Sequence, residues 1–179
     1  DDGGAASRAV QATIAALREM EGDTELAARI VRIASRVATS EHVFTIGRGT
    51  GFASAQEAAL KIKEGSYVHA EAFAAGELKH GAIALIEPGT PCLMFASSSG
   101  ADAQLVNTSQ ELLSRGAYTI GVGMTAPEGF SDVIPFPHDT FVAEIVQVYV
   151  AQRIAYQTAI LRGLDPDRPR NLAKSVTVR

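Results

Sequence analysis

Tryptophan is absent from the 179-residue chain, and cysteine occurs once, at Cys92. A single thiol closes no internal disulfide and builds no cysteine-rich metal site. Cys92 lies in the apolar run Pro91 to Ala96, so it reads as a buried, unreactive thiol. No stretch approaches the ~18 apolar residues of a membrane span, and no secretory leader pattern is visible. The expectation is a cytoplasmic protein with no membrane partner. A bias to one sign of charge is lacking too: 16 Lys and Arg against 20 Asp and Glu leave a net charge of −4. With the basic residues spread along the chain, there is no patch or stripe to hold nucleic acid. Several catalytic signatures are missing as well. No GxSxG elbow and no HExxH helix occur. The run Gly47-Arg48-Gly49-Thr50-Gly51 lacks the later Gly of a dinucleotide fingerprint and the Gly-Lys of a P-loop. The chain opens Asp1-Asp2-Gly3-Gly4 without Met, which suggests a piece of a longer protein.

What is present is ordinary for a globular chain: 46% hydrophobic and 20% charged residues, with Gly and Ala plentiful. The length suits one α/β domain with a sizeable core. Val10, Ile14 and Leu17 recur at helical spacing and predict a helix over 7–20, ended by Gly22. Asp23 is placed to cap a second helix with the stripe Leu26, Ile30, Ile33, Val37. Short apolar runs at 42–46, 91–96, 118–122 and 133–136 read as strands. Residues 52–65, 102–115 and 140–162 read as helices, the last apolar nearly all round and so mostly buried. From Gly163 the chain becomes a Pro- and Arg-rich tail without periodicity. Continuous apolar strands alternating with helices predict a parallel sheet covered on both faces, a three-layer α/β/α sandwich. In such folds ligands sit beyond the carboxyl ends of the strands. Loops 47–51 and 97–100 fall there. Thr50, Ser97, Ser98 and Ser99 could meet an anion at the helix N-termini that follow, although plain strand-to-helix turns also favour Gly and Ser.

The densest chemistry lies between 57 and 81. Glu57, Lys61 and Glu64 share one helix face, whereas Lys63 points elsewhere. His69, Glu71, Glu77, Lys79 and His80 follow among small residues. Carboxylate, imidazole and ammonium groups together are the ingredients of proton transfer; a solvated surface is the plainer reading of any one of them. His69 reads as a core histidine. Glu71, Glu77 and Lys79 read as mainly structural or supporting.

The run KIKEGSYVHAEAFAAGELKHG, together with the ending DPDRPRNLAKSVTV, resembles the second SIS (sugar isomerase) domain of the glucosamine-6-phosphate synthases. The likeness covers essentially the whole chain, 1–179, with leading helices over 1–40, an α/β core over 41–162 and a tail over 163–179 that lies over the active site. It implies a transferase of amino-sugar biosynthesis. Fructose 6-phosphate and glutamine-derived ammonia become glucosamine 6-phosphate, without metal or organic cofactor. The first SIS domain and a glutaminase domain of the same protein would be partners, and a homodimer is implied.

By that resemblance Glu64 matches the carboxylate that moves a proton between carbons 1 and 2 of the sugar. Lys61 matches a lysine that stabilises charge developing on oxygen. His80 matches the histidine that opens the sugar ring and reaches a neighbouring subunit's site. Lys174 matches the lysine that forms a Schiff base with the open ketose. Most sugar-phosphate contacts in the family come from the first SIS domain, so this chain alone is expected to be nearly inactive. Two other readings stay open: a deaminase or isomerase made only of SIS domains, and a non-catalytic module that binds a sugar phosphate.

Overall fold

The computed structural model of the chain describes residues 2–97, 102–124, 128–135 and 143–171. Two helices lead, α1 (Asp2–Gly22) and α2 (Thr24–Ala38). The core follows as β1 (His42–Gly47), α3 (Thr50–Ser66), β2 (His69–Ala74), β3 (Pro91–Phe95), α4 (Asp102–Leu113), β4 (Tyr118–Val122), β5 (Asp132–Ile134) and α5 (Ala143–Leu161). Two 3-10 turns, Leu78–His80 and Ala82–Leu85, lie between β2 and β3.

The strands form one sheet in the order β2-β1-β3-β4-β5, and every neighbouring pair is parallel. Because side chains alternate along a strand, the sheet separates two apolar layers. On one face Val43, Ala70, Leu93, Phe95 and Ile120 meet Ile30 and Ile33 of α2, Ala58 and Ile62 of α3, and Val150 and Ile154 of α5. On the other, Phe44, Ile46, Cys92 and Met94 meet Leu105 and Leu112 of α4 and Leu78 of the first 3-10 turn. The expected three-layer α/β/α sandwich is the observed architecture.

The local signals explain much of this. The Asp23 carboxylate accepts from the backbone N–H of Glu25 at 2.8 Å and of Leu26 at 3.0 Å, satisfying two orphan donors at the start of α2. Leu26, Ile30, Ile33 and Val37 are all buried, as their spacing implied. Arg32 of α2 donates to Asp132 of β5 at 2.7 Å, Arg29 donates to the Val133 carbonyl, and the Tyr118 hydroxyl donates to Asp132 at 3.2 Å. This network ties the last strand to the second helix.

Three expectations need correction. No strand was read at His69–Ala74, yet this segment is β2, the edge of the sheet. Its sequence HAEAFA carries little β-branched content, and the ladder with β1 supplies what propensity does not. His69 is not a core histidine: as the first residue of this edge strand it is exposed. α5 is less buried than expected, with nine of its nineteen residues buried. Ile145, Tyr156, Ile160 and Leu161 remain between 45% and 55% exposed, because α2, α3 and the sheet cover only one side of the helix. Likewise Val10 and Ile14 of α1 are open to solvent.

The entry into α3 is the tightest point of the fold. A Cβ on Gly51 would stand 2.5 Å from the Phe95 carbonyl oxygen and 2.7 Å from that of Ala96. A Cβ on Gly47 would stand 2.2 Å from the Gly51 carbonyl oxygen, and Gly49 has a positive φ of 54°. These glycines let the first turn of α3 rest directly on the end of β3. Gly51→Ala is expected to destabilise the fold by about 1–3 kcal/mol or more, read as a lower midpoint in urea, whereas Gly76→Ala, where a Cβ meets nothing within 4 Å, should move it far less. Cys92 is fully buried, and burial pushes its thiol up to about 12. A thiol reagent at neutral pH is expected to leave it untouched in the native chain and to label it on unfolding.

Candidate functional site

Once its start is seated, the rotation of α3 is fixed at 100° per residue. Ala55, Ala58, Ala59 and Ile62 turn into the core. Glu57, Lys61 and Glu64 are thereby carried onto a half-buried flank. There the Lys61 ammonium donates to Glu64 Oε2 at 2.8 Å and lies 3.5 Å from Glu57 Oε1. The spacing legible in the sequence thus becomes a real contact. Lys61 and Glu64 side chains keep 32% and 34% of their surface in solvent.

They open onto a cavity of roughly 200 Å³. α3 contributes Lys61, Glu64 and Gly65; α5 contributes Gln152, Ala155 and Tyr156; the tail contributes Pro166 and Pro169. The tail reaches this place through a series of turns. Gly163 takes a φ of 69° after α5, and the Leu164 N–H closes on the Ala159 carbonyl at 2.9 Å. The Arg170 N–H then donates to the Tyr67 hydroxyl at 2.7 Å, and its guanidinium stacks 4.0 Å from the Tyr67 ring centroid. Tyr67, Gln152 and Tyr156 did not stand out in the sequence. For Tyr67 a signal existed in hindsight: a bulky residue at a helix end, where Gly or Asn is the common choice.

The other candidates do not converge here. His80 ends the first 3-10 turn, is exposed, and does not line the cavity. Lys79 pairs with Glu111 of α4 at 2.6 Å. Thr50 and Ser97 sit at the carboxyl edge of the sheet. From Thr50 to Glu64 the helix rises about 21 Å at 1.5 Å per residue, so the two groups of candidates occupy opposite edges. At that carboxyl edge the first amides of α3 are already engaged: Gly51 N–H donates to the Arg48 carbonyl at 3.0 Å and Phe52 N–H to that of Gly49 at 3.2 Å. Ser97 is buried, and Gln147 closes over the neighbouring Ala96 carbonyl at 2.7 Å. Ser98, Ser99 and Lys174 lie outside the described residues.

Comparison with known proteins adds the lineage. The SIS domain family profile matches residues 37–162. The chain belongs to the SIS domain family. It is 46% identical over 151 residues to the glutamine–fructose-6-phosphate aminotransferase [isomerizing] of Streptococcus mutans, a match spanning 82% of this chain and 25% of that protein. Among solved structures, the C-terminal domain of glucosamine-fructose-6-phosphate aminotransferase from Francisella tularensis superimposes with a TM-score of 0.72 at 30% identity, covering 80% of this chain and 42% of the other. A glucosamine-6-phosphate deaminase from Thermotoga maritima superimposes with a TM-score of 0.60 at 35% identity, covering 83% of this chain and 46% of the other. The chain spans about a quarter of the length of the curated relatives it matches. Among the described residues no helix is long and apolar enough to cross a membrane, and no group of three or more His, Cys, Asp and Glu could hold a metal ion.

Electrostatically, the hydrogen bond to Glu64 pushes Lys61 above its ordinary value of 10.5, against an opposing pull from burial. Lys61 is therefore a fixed cation at neutral pH, suited to stabilising an anion and unsuited to accepting a proton. The linkage sign follows. A lysine raised on folding contributes stability below 10.5 that is lost as pH rises through its folded value. With both side chains about a third exposed, that contribution stays below about 1 kcal/mol. Lys61→Met is expected to melt slightly below the parent at pH 8, and the gap should close as pH rises past the raised value of Lys61, checked by thermal melts from neutral to strongly alkaline pH.

Proposed function

We propose that this chain is the C-terminal isomerase half-domain of a glucosamine-6-phosphate synthase, acting on fructose 6-phosphate with ammonia released elsewhere in the same protein from glutamine. The observation that carries the reading is the Lys61–Glu64 pair in a cavity walled by Pro166 and Pro169, with the NLAKSVTV run beginning at Asn171, two positions after Pro169. Family membership and 45–46% identity to aminotransferases of this kind support it.

In this reading Glu64 carries the proton between carbons 1 and 2. A carboxylate beside a lysine that stays protonated can accept a carbon-bound proton while the ammonium faces the oxygen on which charge develops. Lys174 supplies the Schiff base, which acidifies the adjacent C–H and offers ammonia an electrophile. His80, exposed and remote from its own chain's cavity, opens the sugar ring in the site of a second copy, so the working unit is a dimer. Phosphate binding falls to the first SIS domain. Thr50 and Ser97, at the far edge, have no part in the proton transfer.

The test uses the full-length protein with fructose 6-phosphate and either glutamine or free ammonia. Glucosamine 6-phosphate formation is expected in the parent and a loss of about 10²–10⁴-fold in Glu64→Gln, with Lys174→Ala equally impaired. The similarity to a glucosamine-6-phosphate deaminase favours one second reading. If the parent makes no glucosamine 6-phosphate but releases ammonia from it, the chain belongs to a deaminase. If it does neither, the catalytic reading fails and a sugar-phosphate-binding module remains.

A further inference from the structure

We propose that His42 and His69 form a two-imidazole seat for a late first-row divalent cation of the zinc, nickel or copper(II) kind, at the amino edge of the sheet and on the face opposite α3. The two residues open adjacent parallel strands and are direct partners in the ladder. His42 shares the side of β1 that carries Phe44 and Ile46, the layer covered by α4. His69 shares the side of β2 that carries Phe73, whose ring lies 5.9 Å from that of Phe44. Both imidazoles therefore project from the same face, and both are exposed.

Their geometry is that of a chelate. The rings stand edge to face, 5.4 Å between centroids and 89° between planes, with the two Nδ1 atoms 3.4 Å apart. That spacing is long for a hydrogen bond, which prefers about 2.7–3.2 Å for an N–H donor. It matches the separation of two nitrogens bound to one tetrahedral ion, about 3.3 Å for metal–nitrogen bonds of about 2.05 Å. Neutral imidazole is a ligand that suits zinc, copper and nickel. The backbone ladder holds the two Cβ atoms side by side, so little chain ordering opposes binding.

Among the described residues no third His, Cys, Asp or Glu completes the set. Glu71 is on the same strand face two residues along, opposite Phe44 in the register. Water would fill the remaining positions, and the ion would exchange with solvent, unlike a four-ligand structural zinc.

The test is titration of the tag-free full-length protein with Zn²⁺ or Ni²⁺ by calorimetry, beside His42→Asn and His69→Asn. One equivalent per chain is expected at this seat, with affinity at least tenfold lower in each single variant and binding at this seat lost in the double variant. Copper(II) electron spin resonance on the parent gives a readout that needs no substitution, and two coordinated nitrogens are expected. Equal binding in parent and variants, weakening in only one of the two, or a single-nitrogen copper spectrum would each overturn the proposal.

Discussion

The contact on which the rest of the chain depends is the seating of α3's first turn on the end of β3. No side chain fits between Gly51 and the carbonyls of Phe95 and Ala96. The Thr45 hydroxyl, donating to the Ala55 carbonyl at 2.8 Å, pins the same helix to β1 one turn later. A rigid helix held at its start has no remaining freedom of rotation. Ala58 and Ile62 must face the core, and Lys61 and Glu64 must face the groove beside α5. The position of two charged groups near the far end of α3 is therefore set by glycines about 20 Å away along its axis. The glycines of Gly47-Arg48-Gly49-Thr50-Gly51 are accounted for by packing and by one left-handed turn, without any ligand.

That seating also bears on an apparent conflict. In open parallel sheets ligands gather beyond the carboxyl ends of the strands, where Thr50 and Ser97 lie. The Lys61–Glu64 pair lies at the other edge. The two edges are different kinds of place. At the carboxyl edge the backbone donors Gly51 N–H and Phe52 N–H are turned inward to Arg48 and Gly49, and Ser97 is covered. At the amino edge a side-chain ion pair stands half open beside the tail. An α/β layer can thus carry a half-exposed ion pair on a helix end while the first backbone donors at the other end of that helix are spent within the fold.

Legibility in the sequence followed the physics of each element. Asp23 announced α2 because a carboxylate before an apolar-periodic run has one strong use. β1, β3 and β4 were legible because strands buried on both faces are unbroken apolar runs. β2 was not, since an edge strand with one open face needs no such run: Ala70 is buried while His69 and Glu71 are exposed. The same openness made His69 read wrongly, for a histidine amid alanines looks interior until its strand is known to be at the margin. α5 reads as mostly buried on hydropathy alone, yet Ile145 and Tyr156 stay exposed because hydropathy reports what a face prefers and not what covers it. In the candidate site, the i, i+3 pair was legible and the cavity was not. Its walls come from Gln152, Tyr156, Pro166 and Pro169, brought near Glu64 only by tertiary structure.

Tyr67 shows how the tail is held. The chain passes from the end of α3 to the start of β2 through only Tyr67 and Val68. A reversal that short requires a left-handed residue, and Tyr67 takes it with φ 58° and ψ 20°, its N–H closing on the Lys63 carbonyl at 3.2 Å. For a bulky residue this conformation costs on the order of 1–3 kcal/mol, most of which Gly would avoid. The ring and hydroxyl supply the offset. Stacking of the Arg170 guanidinium contributes about 0.5–1 kcal/mol at an exposed site, and the hydrogen bond from the Arg170 N–H about 0.5–1.5 kcal/mol. Glycine at 67 would relax the turn and release the tail; tyrosine strains the turn and keeps Pro166 and Pro169 against Glu64. Two terms of similar size and opposite sign thus link the end of the helix that carries the ion pair to the segment that walls its cavity.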